Sequence, residues 1–267
     1  MDFTTLQIDR RAHVAWVTLN RPAALNALNR AMVQELRAVF GGLGEDTDTR
    51  LVVLQGAGRA FCAGLDLKEA GNDDIGGAGS VQASLRGQRQ ISELLMMMRR
   101  APQPIIAAVH GAACGGGFAL ALGADVRLAG ESARMNAAFI RIGLSGCDVG
   151  VSYFLPRMVG ASVAAELLLT GNFIDAPRAE HLGLVSRVVP DADLGAAAEA
   201  MAADMLRNSP LGLRLTKECL NASIDAASLD QVIAMEDRNQ ILCSRTGDFF
   251  EGVSAFLQKR PASYTDR

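Results

Sequence analysis

Lysine is almost missing from this chain: Lys68, Lys217 and Lys259 are the only three, and arginine supplies the rest of its 26 basic residues. Against 29 acidic residues the formal net charge is −3, which excludes bulk attraction to nucleic acid or to an anionic membrane. Cysteine is sparse and unpatterned. Cys62, Cys114, Cys147, Cys219 and Cys243 are odd in number and lack Cys-x-x-Cys spacing, so buried free thiols in a reducing compartment are expected. No run approaches the roughly 20 apolar residues of a membrane span. Met1-Asp2-Phe3-Thr4-Thr5 has neither the basic nor the apolar part of a leader, and a cytoplasmic protein with no membrane partner is expected. His13, His110 and His181 show no metal-ligand spacing, and a Walker A loop and a nucleophile elbow are both wanting. No metal and no nucleoside triphosphate is implied.

What is present is an ordinary globular composition, 49% hydrophobic and 21% charged over 267 residues, enough for one substantial core with a smaller appended piece. Residues 13–19 alternate as a strand that ends at Asn20-Arg21-Pro22, and 29–43 carry helical periodicity up to Gly41-Gly42. A buried strand is expected at 51–55, a helix at 82–99, and strands near 104–109, 124–129 and 184–189. Between them lies Gly-Asn-Asp-Asp-Ile-Gly-Gly-Ala-Gly-Ser at 71–80, whose glycines and acids favour a mobile loop or a lid. The alternation implies an α/β core over 1–190. After Pro190 the chain turns alanine-rich and helical, at 192–207, 210–223, 227–243 and 247–258, and 191–267 is set apart as a helical region whose apolar faces need a partner.

The segment richest in chemistry is Ala107-Ala108-Val109-His110-Gly111-Ala112-Ala113-Cys114-Gly115-Gly116-Gly117-Phe118-Ala119-Leu120. A β-branched apolar run meets three glycines, and a helical pattern follows. Without Cβ atoms the backbone approaches a ligand closely, and N–H groups at a helix start suit developing negative charge. Packing alone explains such a turn equally well.

Further blocks resolve the ambiguity. Leu51-Val52-Val53-Leu54-Gln55-Gly56 runs into Ala57-Gly58-Arg59-Ala60-Phe61-Cys62-Ala63-Gly64-Leu65-Asp66-Leu67-Lys68, and Asn20-Arg21-Pro22-Ala23-Ala24-Leu25-Asn26-Ala27-Leu28 stands upstream. In order and spacing these resemble the crotonase (enoyl-CoA hydratase/isomerase) superfamily. The resemblance continues through Leu169-Thr170-Gly171-Asn172, Gly183-Leu184-Val185-Ser186 and Phe256-Leu257-Gln258-Lys259-Arg260, nearly the whole chain. It implies a spiral of ββα repeats, although no independent sequence repeat shows this. It also implies a C-terminal helical region that mediates trimerisation, giving a homotrimer or a dimer of trimers.

The resemblance further implies an acyl-CoA thioester as substrate, with coenzyme A arriving on it and no separate cofactor. Its carbonyl oxygen would sit between the backbone N–H groups of Leu65 and Gly116. Such an oxyanion hole stabilises an enolate, each donor lowering the barrier by roughly 2.7–4 kcal/mol. Ala24, Leu25 and Ala63 stand where relatives cradle CoA, while Arg21, Arg59 and Lys259 stand where cations approach its phosphates. Each of these charges reads equally as a solvated surface group. Asp66 with Lys68 is more simply a cap or surface charge than an acid–base pair. His110 is expected to bond backbone. Met97, among Met96, Met97 and Met98, together with Ala119 and Phe139, would line the acyl pocket, although methionine in a helix is more often core filling.

The chain departs from hydratases at two positions. Their two glutamates fall at Ala119 and at Phe139, four before Gly143, and neither side chain transfers a proton. Losing a positioned acid or base typically costs a factor of roughly 10²–10⁴. The nearby acid is Asp148, in Gly143-Leu144-Ser145-Gly146-Cys147-Asp148-Val149-Gly150. Counted back from Pro156 it matches the acid of dienoyl-CoA and 3,2-enoyl-CoA isomerases; counted from Gly143 it is off by one. It also resembles the nucleophile of 4-chlorobenzoyl-CoA dehalogenases, with Ser152-Tyr153 following, but Ile140 stands where they have tryptophan. The plain alternative is a loop-capping carboxylate. Double-bond isomerisation with Asp148 as acid/base is the expectation; hydration by a non-standard site and silent acyl-CoA binding are its competitors.

Overall fold

A computed structural model describes residues 3–70 and 80–266, so the glycine-rich segment at 71–79 lies outside the described residues. Strands β1 (Leu6–Arg11) and β2 (Val14–Leu19) form an antiparallel hairpin through Ala12 and His13, both at positive φ. The first of these strands was not anticipated. Helix α1 (Arg30–Gly42) starts at Asn29, whose Oδ1 accepts the Met32 N–H at 3.0 Å, and it buries Met32, Val33, Leu36 and Phe40. Then come β3 (Leu51–Gly56), a short α2 (Leu67–Ala70) and the long α3 (Val81–Arg100), capped by Ser80. Next are β4 (Ile105–Val109), β5 (Ala112–Cys114), α4 (Gly116–Gly123), β6 (Val126–Gly130) and β7 (Arg134–Asn136). Helices α5 (Val151–Val159) and α6 (Ala161–Thr170) lead to β8 (Ile174–Asp175), α7 (Ala176–His181) and β9 (Arg187–Val189).

The larger sheet has the order β1-β2-β3-β4-β6-β9 and is parallel from β2 onward. A smaller sheet, β5-β7-β8, is extended by a parallel bridge from Cys62 to Ala113. The chain therefore repeats one course: a long strand into the large sheet, a short strand into the small one, then a helix. β3, Cys62 and α3 make one turn; β4, β5 and α4 the next; β6, β7 and α5 the third. This is the expected spiral of ββα units.

Both faces of the large sheet are buried, which is why its strands read as near-continuous apolar runs. Ala15, Val17, Val52, Leu54, Ile105, Ala107 and Val109 face the main core with α1, α3 and α4. Val14, Trp16, Leu51, Val53, Ile106, Ala108 and Leu128 face the other way, against Leu194, Ala198 and Ala202. Those last three belong to α8 (Leu194–Leu206), the first helix of the tail. The compositional break after Pro190 thus marks the end of the strands, whereas the core continues through α8.

Helices α9 (Pro210–Ser223), α10 (Leu229–Ser244) and α11 (Gly247–Leu257) complete the chain. α9 is pinned by one of the three lysines. Lys217 Nζ is buried and donates to the Met98 and Gln103 carbonyls at 3.1 and 2.8 Å, and meets Asp125 Oδ2 at 2.8 Å. The same Asp125 oxygen accepts the Ile105 N–H, so the pair ties α9 to the start of β4. Burial lowers the Lys217 pKa, and Asp125 opposes that shift. α11 leaves Phe250, Phe256 and Leu257 exposed.

Lys217→Met leaves the Asp125 carboxylate and two buried carbonyls without their partner. It is expected to reduce unfolding stability by about 3 kcal/mol, read from urea denaturation. A loss under about 1 kcal/mol would show that this pair does not anchor α9.

Candidate active site

The loop between β2 and α1 makes a 3-10 turn at Pro22–Ala24 and then holds Leu25 and Asn26 at φ of 50° and 55°. Asn26 supplies what keeps it there. Fully buried, it accepts the Arg21 N–H on Oδ1 at 2.9 Å and donates through Nδ2 to the Ala57 and Ala60 carbonyls, each at 2.8 Å. The loop is thereby locked to the segment after β3. Two residues on, Leu28 N–H donates to the Gly64 carbonyl at 2.7 Å and its carbonyl accepts the Asp66 N–H at 2.9 Å. These bonds straddle Leu65, whose own N–H is turned away from Leu28 and donates to no described group.

The second backbone comes from the triple glycine. Gly116 is the first residue of α4, so its N–H has no partner within the helix, and it too donates to no described group. The two segments meet at a distance only glycine permits. A Cβ on Gly64, at φ 94°, would lie 2.7 Å from the Cys114 carbonyl oxygen and 3.6 Å from the Gly116 nitrogen. One on Gly117 would lie 2.2 Å from the Cys62 carbonyl oxygen. Both free N–H groups open on a cavity of about 770 Å³, walled by the first half of α3, by Phe139 and by Asp148.

Asp148 stands in a tight turn ahead of α5. Its carbonyl accepts the Val151 N–H at 2.9 Å, across Val149 at φ 39° and Gly150 at φ 87°. A β-branched residue in that region costs about 1–3 kcal/mol, so the turn is held by its surroundings. The carboxylate is fixed through Oδ1, which accepts the Gln88 Nε2 hydrogen at 2.5 Å and the Val149 N–H at 2.8 Å. Oδ2 has no hydrogen-bond partner among the described residues. Oδ1 is thus anchored as a loop cap, while Asp148 as a residue lines the cavity.

Of the other expected residues, Ala63 lines the cavity and its N–H pairs with the Leu25 carbonyl at 3.0 Å. Phe139 lines it as well, its ring packed under Gly115. Ala119 does not. It is fully buried one turn into α4, packed in the main core rather than on the cavity lining. Met97 is also displaced: α3 presents Val81, Ser84, Leu85, Gln88 and Ile91 to the cavity, a face and a height that Met97 does not share. It packs on the main core instead.

The cations divide. Arg21 lies beside the site, but its guanidinium is engaged within the chain by the Ala27 carbonyl at 2.6 Å, Asp66 at 2.9 Å and Glu69 at 3.5 Å. Asp66 is accordingly a structural partner. Arg59 is exposed and borders a separate polar pocket with His110, Ser132 and Asp191. His110 Nε2 lies 2.8 Å from the Gly58 carbonyl, the backbone bond expected of it. Lys259 is exposed beyond the end of α11, away from the cavity lining of its own chain. The five cysteines are free, but only Cys62 is fully buried, its thiol pKa pushed up to about 12 by burial, and Cys147 is exposed. Among the described residues no three His, Cys, Asp or Glu side chains form a metal-holding group.

Two residues of consequence were missed in the sequence. Gln88 gave no signal, because its partner is sixty positions away. Asn26 carried one: a polar residue closing the Asn20–Leu28 block just ahead of apolar Ala27 and Leu28.

Comparison with known proteins covers nearly the whole chain. The family model described as "Enoyl-CoA hydratase/isomerase" matches residues 9–267. The chain is 41% identical over 258 residues, 96% of its length and 90% of the other's, to "Probable enoyl-CoA hydratase EchA12" of Mycobacterium tuberculosis. It is 36% identical over the full length of both chains to "1,2-epoxyphenylacetyl-CoA isomerase" of Escherichia coli K12. The crystal structure of an enoyl-CoA hydratase from Bacillus anthracis superposes with a TM-score of 0.92 at 34% identity, covering 99% of this chain and 100% of that one.

Asn26→Ala removes three hydrogen bonds from a fully buried position. It is expected to lower stability by at least about 2 kcal/mol in urea unfolding. An effect below about 0.5 kcal/mol would mean that the loop is held by other contacts.

Proposed function

The chain belongs to the enoyl-CoA hydratase/isomerase family, and on that premise we propose that it shifts a double bond within an enoyl-CoA thioester, with Asp148 carrying the proton. The observation that carries this reading is the pairing of two free N–H groups, on Leu65 and Gly116, with one carboxylate among the described lining residues, Asp148, whose Oδ2 is unengaged among them, all on one cavity. The thioester oxygen accepts both N–H groups. Asp148 removes a proton from the acyl chain, the electron pair moves onto the thioester as an enolate, and the same carboxyl returns the proton two carbons away. One acid suffices for this, whereas the usual hydration uses two. Phe139 and Ala119 occupy the places of those two, one as an apolar wall and one inside the core.

Gln88 holds the carboxylate in register for this transfer. Ala24, Leu25 and Ala63 offer backbone to the CoA moiety at the mouth. Arg21, Arg59 and Lys259 are its candidate phosphate cations, Lys259 from a neighbouring subunit. The exposed Phe250, Phe256 and Leu257 of α11 support assembly as a trimer or dimer of trimers. A second reading, hydration, has the printed name of the mycobacterial relative in its favour.

The deciding experiment gives the protein 2-enoyl- and 3-enoyl-CoA esters separately and records product mass and double-bond position. Isomerisation leaves the mass unchanged and moves the bond. A product one water heavier, from the 2-enoyl ester, would establish hydration instead. Asp148→Asn is expected to lower kcat by a factor of roughly 10²–10⁴ with KM little changed. Gln88→Leu, which removes one of two donors to Oδ1, is expected to lower kcat by about tenfold at unchanged KM. Full activity in Asp148→Asn would remove the carboxylate from the mechanism.

A further inference from the structure

A second cavity, of about 1020 Å³, lies between the second half of α3, the start of α5, and α9. It adjoins the first, with Val149 in both linings. Along α3 the series Val81, Leu85, Gln88, Ile91 faces the first cavity, and Leu95 with Arg99 carries that stripe into the second, at the spacing of one helical face. On the opposite side Val149, immediately after Asp148, lines both cavities, so the strained turn is their common wall. From Gln88 to Arg99 the helix rises roughly 16 Å.

The second cavity is mainly apolar near Val149 and charged at its far end. Nearly all of those charges are already matched within the chain. Glu93 pairs with Arg100, Arg214 with Asp266, and Lys217 with Asp125. Glu218 pairs with Arg238, and Asp225 with Arg157. Arg99 is the exception. It has no carboxylate within 4.0 Å among the described residues and only stacks on the Phe154 ring, 5.4 Å from its centroid. Its charge is felt by its neighbours: Arg127, its pKa held down to about 10 chiefly by burial, and Lys217 are both pushed further down by Arg99, which also helps lower the pKa of Asp225 on the cavity wall.

We infer that the second cavity is a subsite for the distal part of the acyl chain, and that Arg99 receives a carboxylate at its end. The preferred substrates are then mono-CoA thioesters of dicarboxylic acids whose chain is long enough to pass Val149. This rests on the acyl-thioester reading of the first cavity but not on which reaction occurs there. The chemistry is that of a half-buried guanidinium on the wall of a mainly apolar cavity, able to form a bidentate bond to a carboxylate.

The test is binding of saturated esters, which contain no double bond to move, measured by calorimetry. Butanoyl-CoA, dodecanoyl-CoA and the mono-CoA ester of dodecanedioic acid are compared. The diacid ester is expected to bind about tenfold or more tightly than dodecanoyl-CoA. Arg99→Leu should abolish that difference while leaving butanoyl-CoA within about twofold, which also shows that the variant is folded. Met96→Trp, which narrows the second cavity, should weaken both twelve-carbon esters and spare butanoyl-CoA. Equal affinities for the two long esters, or a difference that survives Arg99→Leu, overturns the subsite while butanoyl-CoA binding upholds the acyl-CoA reading. Failure of all three to bind overturns both.

Discussion

Two stretches of backbone have to touch where side chains would forbid it. Gly64 lies against the Cys114 carbonyl and Gly117 against the Cys62 carbonyl, and this contact sets the spacing of the Leu65 and Gly116 nitrogens. Much of the surrounding architecture holds that approach. The Cys62–Ala113 bridge aligns the two segments, β7 supports β5 from the far side, and Leu28 clamps the residues on either side of Leu65. Asn26 fastens the clamp to the turn after β3. Because both donors are main-chain groups on packed segments, they are oriented before any ligand arrives, which is what makes such donors effective against developing charge.

The carboxylate is placed by different means. Asp148 is set by a turn that an unstrained chain would avoid, with Val149 at positive φ and buried on the common wall of two cavities. The helix that follows extends the constraint, since Tyr153 and Arg157 of α5 both reach Asp225 just beyond α9. Asp148 is thus connected to α3 through Gln88 and to the tail through α5. The two main-chain N–H groups and the Asp148 carboxylate are each held from more than one direction.

The large features were legible because they rest on local patterns. The alternation at 14–19, the periodicity of α1 and the glycine blocks all report their own neighbourhood, and the helices fell within a few residues of expectation. The spiral was not legible without the resemblance, since its short strands are three residues or fewer and acquire meaning only from partners in another turn. The same holds within the site. The choice between Met97 and Gln88 on α3 is a choice of helical face, and no pattern in residues 81–100 says which face meets Asp148. Ala119 shows the same limit: its place in the glycine motif gives a backbone location, and the side chain packs in the main core. The tail was read as an appended piece because composition changes at Pro190, yet α8 packs on strands that precede it by up to 180 residues.

That packing has a consequence for synthesis on the ribosome. The strands of the large sheet are complete once β9 has emerged, but Val14, Trp16, Leu51, Val53, Ile106, Ala108 and Leu128 then form an uncovered apolar surface. Their cover, α8, is translated after all of them. The nascent chain therefore carries a sticky, half-finished sheet for most of its elongation, a state that favours aggregation or chaperone capture. A polypeptide that ends between residues 189 and 194 has every strand of the large sheet and none of the helix that covers this face.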